Sequence, residues 1–143
     1  MSAPETSTPV ILYSTRQIYT ASFLGSPIAA AWFISRNYRA LGDAARSTRA
    51  LWIGVAAMIA LFAVGSQLPR HFPNYVLPLA YSYAIYLYAA KVFDSAIERN
   101  AASGGTVGSW WRVVGVSLGT LVVVCGLAYV AIVGWVILNG PQP

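Results

Sequence analysis

Val113–Leu138 is an apolar stretch without a single charged residue. A helix needs about 20 mostly apolar residues to cross the ~30 Å hydrocarbon core of a bilayer, and this stretch exceeds that. Composition then closes off the alternatives. The chain has 143 residues, of which 57% are hydrophobic and 9% charged, with mean hydropathy +0.61. A soluble domain carries about 25% charged residues, and a small one exposes a large share of its surface. Nine Lys and Arg with four Asp and Glu cannot supply that polar shell. An ordinary soluble enzyme, a disordered chain and a water-exposed repeat array are excluded. A small integral membrane protein remains.

Three further segments approach spanning length: Ile18–Ile34, Leu51–Leu68 and Val76–Phe93. The first is the weakest by hydropathy, interrupted by Thr20, Ser22, Ser26 and Pro27; the third carries Lys91 and four tyrosines. Breakers and caps extend these runs into helices. Gly42 reads as a helix stop and Asp43 as the next N-cap. Pro69 closes the second helix, Pro78 fits the first turn of the third, Gly104-Gly105 ends it, and Ser109 can cap the fourth. The pattern predicts an all-α integral membrane protein, a four-helix transmembrane bundle with helices over 14–41, 44–68, 77–102 and 109–138. Helical extensions would reach into the cytoplasm, with a polar N-terminal tail at 1–13 and a C-terminal tail at 140–143. Met1–Pro9 lacks the basic start of a cleavable signal, so the first apolar run is expected to be retained.

With four spans, Arg36, Arg39, Arg46, Arg49, Lys91, Arg99 and Arg112 fall on one side, and Arg16 and Arg70 on the other. The positive-inside rule then places the basic loops in the cytoplasm and both termini outside. Trp32, Trp52, Trp110 and Trp111 would flank the cytoplasmic interface, and Trp135 the outer one.

Membrane helices pack through small residues. Ala21, Gly25 and Ala29 share a face of the first helix; Ala56, Ala60 and Ala63, continued by Gln67, share one on the second. Gly115, Gly119 and Gly126 line the fourth. Internal packing accounts for such stripes; the sharper reading is that the glycine face of the fourth helix docks a partner. Tyr81 and Tyr88 fall on one side of the third helix, Tyr83 and Tyr86 on the other. They are either packing residues or, with Gln67 near Tyr83 and Tyr86, the wall of a polar pocket. Arg16 lies inside the first helix if that helix starts near Val10, and at the outer surface if the span starts near Ile18. The basic rim Arg36, Arg39, Arg46 and Arg49 could hold anionic lipid headgroups or a partner, although topology alone also explains it.

Chemistry is sparse. The core spans hold no Asp or Glu, which weighs against proton-coupled transport. His71 stands alone in a short loop. Cys125 has no charged neighbour to lower its pKa, and no paired-cysteine or Cys/His metal spacing occurs. No catalytic residue, metal or cofactor is expected, and no nucleic-acid partner.

The run Ser22-Phe-Leu-Gly-Ser-Pro-Ile-Ala-Ala30, followed by Arg36-Asn-Tyr-Arg-Ala-Leu-Gly42, Pro73-Asn-Tyr-Val-Leu-Pro-Leu-Ala-Tyr81 and Ser109-Trp-Trp111, resembles a group of short, uncharacterised bacterial polytopic membrane proteins. The likeness spans Tyr13 to Leu138. It implies a bacterial inner-membrane location and carries over no functional residue; it draws attention to Gly25, Pro27, Arg36, Asn37 and Gly42. The expected function is non-catalytic interaction with another membrane component, as an accessory subunit or a toxin-immunity protein. The alternatives are an oligomeric small transporter or channel, or a lipid-binding protein. Its surroundings would be the bilayer and another membrane protein or a second copy.

Overall fold

The computed structural model describes residues 10–69, 71–73 and 75–140. They form β1 (Ile11–Leu12), α1 (Thr15–Gly25), α2 (Pro27–Ala40), α3 (Ala44–Gln67), α4 (Val76–Ala102), β2 (Thr106–Val107) and α5 (Trp110–Asn139). The fold is all-helical apart from the two short strands, and α3, α4 and α5 are long and apolar enough to cross a membrane. These match the second, third and fourth expected helices. The expected helix over 14–41 does not form as one piece.

It breaks at Ser26. Pro27 has no N–H and its ring clashes with the carbonyl four residues back, so a helix is kinked or broken there; the residue before it is also pushed out of the helical region. Ser26 sits at φ 110°, ψ 167°, and Pro27 starts α2. The chain then doubles back. Tyr13, just ahead of α1, meets Asn37, near the far end of α2: the Tyr13 N–H donates to Asn37 Oδ1 and Asn37 Nδ2 donates to the Tyr13 carbonyl, both at 2.8 Å. The Tyr13 and Phe33 rings lie 4.6 Å apart, edge to face. So α1 and α2 form a helical hairpin with its tip at Ser26 and both open ends on one side.

This hairpin is the core of the molecule. Ile18, Ala21, Ala29, Ala30 and Phe33 are fully buried. Helix α3 packs along α2, while α4 and α5 pack along α1. The least apolar segment is therefore the most enclosed. Several of its polar groups find partners inside: Ser22 with Ser82, Ser35 with Ser47, and Gln17 with the Gly108 carbonyl. The mostly apolar α5, whose buried polar side chain is Ser117, has less such need, since lipid tails solvate Leu and Val as well as a protein core does. Two close approaches set the helix spacing. A Cβ on Gly54 would strike the Ala31 methyl, and one on Gly25 would lie 2.7 Å from the Ser117 backbone.

The open end of the hairpin is tied down by backbone pairing. β1 lies parallel to β2, with Ile11 opposite Thr106 and Leu12 opposite Val107. Asn100 brackets Val10 as Asn37 brackets Tyr13, donating from Nδ2 to the Val10 carbonyl (2.8 Å) and accepting its N–H (3.1 Å). Ser14 and Gln17 then form a reciprocal capping box at the start of α1.

This geometry bears on three expectations. Within the polar tail expected at 1–13, Ile11–Leu12 form a strand, flanked by Val10 bonded to Asn100 and Tyr13 bonded to Asn37. Arg16, in the first turn of α1, belongs to the same end as Arg36, Arg39, Arg46, Arg49, Arg99 and Arg112, not to the opposite one. And because the hairpin returns to its starting side, Val10 and Gly140 lie at opposite ends of α5; the termini themselves lie outside the described residues. Arg70, the other basic residue placed opposite, lies outside the described residues, as do the polar 1–9 segment and 141–143.

Candidate functional site

The basic residues grouped in sequence as one rim are divided by the fold. Arg36 and Arg39, on α2, face a recess beside β1 of about 270 Å³, lined also by Ile11, Tyr13 and Arg112. Arg36 stacks over the Trp32 ring at 4.8 Å, and Arg112 donates to the Tyr13 hydroxyl at 3.4 Å. Arg46 and Arg49, on the first turns of α3, stand over a different feature.

That feature is a crevice between α3 and α4, floored by α2. Its deeper part, about 300 Å³, is lined by Ala31, Ile34, Ile53, Ala57, Ala84 and Ile85, with Pro27 at its end. Its mouth, about 360 Å³, is lined by Tyr38, Arg46, Arg49 and Val92, and the two parts share Ala50, Ile53 and Tyr88. The Tyr38 and Tyr88 hydroxyls are 2.7 Å apart. Arg46 pairs with Asp43 at 3.3 Å, an exposed contact, and Asp43 also caps α3 by accepting the Arg46 N–H. Arg49 makes no hydrogen bond or ion pair among the described residues. The crevice exists because α3 and α4 each lean on the hairpin and barely on one another.

The tyrosines of α4 serve two neighbourhoods. Tyr81 donates to the Ser22 carbonyl at 3.2 Å and Tyr88 pairs with Tyr38. Tyr83 and Tyr86 stack at 6.3 Å, and Tyr86 meets Tyr19 edge to face at 5.9 Å. Gln67 does not join them. It is exposed on the last turn of α3 and has no hydrogen bond to either ring among the described residues. The structure does not bring Gln67 to Tyr83 and Tyr86 through any hydrogen bond among the described residues, and α3 and α4 barely contact one another.

The small-residue faces divide in the same way. Ala21, Gly25 and Ala29 are buried in the hairpin. Ala56, Ala60 and Ala63 are exposed; α3 packs instead through Ser47 and Gly54. On α5 the packed side carries Val113, Ser117, Thr120 and Val124. At 100° per residue Gly115, Gly119 and Gly126 point the opposite way, and a Cβ on any of them would meet open space. Past the hairpin tip, α3 and α5 also border an apolar groove of about 440 Å³, floored by Ile28 and walled by Val55, Phe62, Leu127 and Ile132.

Among the described residues no three His, Cys, Asp or Glu side chains converge as metal ligands would. His71 and Cys125 are both exposed. The residues that sequence reasoning passed over are Gln17, Asn100 and the Tyr38–Tyr88 pair. Their one sequence signal was the amide side chains flanking apolar runs, which must find partners if buried.

No protein-family model, no curated protein and no solved structure matches this chain.

Proposed function

We propose that this chain is a small bacterial inner-membrane protein that acts by holding another membrane component against α5, with no catalysis of its own. An accessory subunit and a toxin-immunity protein are two forms of that role. The observation that carries the reading is the unpartnered glycine face of α5. Gly115, Gly119 and Gly126 lie opposite the side used for the fold, with nothing packed on them. Small residues let a second helix approach closely enough for dispersion and backbone contacts to hold it in lipid. The basic end, which gathers Arg16, Arg36, Arg39, Arg46, Arg49, Arg99 and Arg112, is cytoplasmic in this reading, by the positive-inside rule.

Purification from native membrane in mild detergent tests it. A partner helix should copurify, and G115L/G119L should release it without lowering the melting temperature, since those positions do not support the fold. A chain that emerges alone, or a partner retained by that variant, would count against the reading.

A second reading, an oligomeric channel or transporter, draws on the hairpin. Irregular backbone at membrane depth occurs where it is buried in protein or lines a water-filled cavity, and broken helices recur in transporters. Flux through liposomes containing purified protein, abolished by substitutions at Ser26 or Ser117, would favour it.

A further inference from the structure

We infer that the crevice between α3 and α4 is a binding site for one anionic glycerophospholipid, with its phosphate at the mouth and an acyl chain along the floor. This goes beyond the docking role of α5 and uses a different surface. Four observations combine.

The first is charge. Arg46 and Arg49 stand at the mouth against the single carboxylate of Asp43, which is already engaged by the α3 N-terminus and by Arg46. One guanidinium is left uncompensated, and arginine matches phosphate oxygens with its planar fork of donors. The second is the hydroxyl pair. Tyr38 and Tyr88 share one hydrogen bond, so whichever accepts keeps its own O–H free to donate to an anion. The third is polarity along the cleft. Below the mouth the lining turns wholly apolar, through Ile53, Ala57, Ala84 and Ile85 to Pro27. A soluble anion has no use for that floor, whereas an acyl chain does.

The fourth is length. Arg46 to Ala57 along α3 covers about 16 Å at 1.5 Å per residue, close to half of the ~30 Å hydrocarbon thickness. Trp52, exposed between them, is the residue type that settles at the headgroup level. The arginines therefore stand at headgroup depth and Ala57 within the leaflet. The recess at Arg36, Arg39 and Arg112 has no comparable apolar floor to receive an acyl chain.

Native mass spectrometry of the full-length, delipidated protein titrated with dioleoyl phosphatidylglycerol or dioleoyl phosphatidylcholine tests the assignment. The anionic lipid should bind at least tenfold tighter. R46Q/R49Q, two exposed changes that leave the fold intact, should remove most of that preference, about tenfold or more, as expected for two arginines at a membrane surface. R36Q/R39Q should leave it unchanged. A57W, which fills the deep part of the crevice from its α3 wall, should weaken both lipids, and A84W repeats that test from the α4 wall should A57W not fold. A preference that survives R46Q/R49Q, one that is lost in R36Q/R39Q instead, or lipid binding unaffected by a folded A57W or A84W would each overturn the proposal. So would a native mass of two chains that cross-link to each other through I53C, which would give the crevice to a second copy.

Discussion

Asn37 shows how much of this fold depends on single polar side chains. Its amide satisfies both the N–H and the carbonyl of Tyr13, and it is fully buried. Removing it leaves two backbone groups unpaired, at about 1–3 kcal/mol each. N37A should therefore lower the detergent melting temperature sharply, while N100A, whose contacts are only partly buried, should lower it less. Glycines offer the complementary contrast. G54L must push α3 off Ala31, and overpacking of this kind costs about 1–3 kcal/mol; G119L meets open space and should melt like the parent. Equal melting temperatures for G54L and G119L would contradict the helix spacing described above.

At the scale of elements, the hairpin turn carries strain that the packing of α1 and α2 holds in place. Ser26 occupies a positive-φ region that suits glycine, and its buried side-chain hydroxyl has no hydrogen-bond partner among the described residues. Such a conformation costs about 1–3 kcal/mol in a residue with a Cβ. S26G should accordingly raise stability by about 1 kcal/mol, read as a higher melting temperature, and S26V should lower it. The turn was only half legible in sequence. Pro27 announced that a helix could not pass unperturbed, yet a kinked continuous helix and a reversal share that signal. What decided between them was the pairing of Tyr13 with Asn37, a contact between residues that no local pattern connects. By contrast α3, α4 and α5 were legible in full, because long apolar runs bounded by Pro69, Pro78, Gly104 and Asn139 have few alternative structures in a membrane.

For the whole molecule, the reversal changes topology. Ile11 lies on β1 and Val107 on the adjacent strand β2, opposite Leu12, and both are half-exposed, whereas Asn139 ends α5. In a C125A background, I11C and V107C should react with a membrane-impermeant maleimide from the same side, and N139C from the other. Labelling of I11C and N139C from one side would restore a continuous first span and refute the hairpin. The candidate sites also became visible only at this scale. Arg36 and Arg49 look alike in sequence, as ends of apolar helices. In the fold one faces a recess beside β1 and the other the crevice beside Tyr88.

The amino-acid sequence by itself determined that this chain belongs in a membrane, where its three long helices run, and that its charges gather at helix ends. Those properties follow from transfer free energies and backbone hydrogen bonding, which act locally along the chain. Tertiary structure alone decided that the least apolar segment forms the core, that it turns back at Ser26, and which small-residue faces remain uncovered. In lipid, apolar surface does not drive helices together. The buried position goes to the segment whose serines, glutamine and asparagine must find partners, and those partners lie far away in sequence.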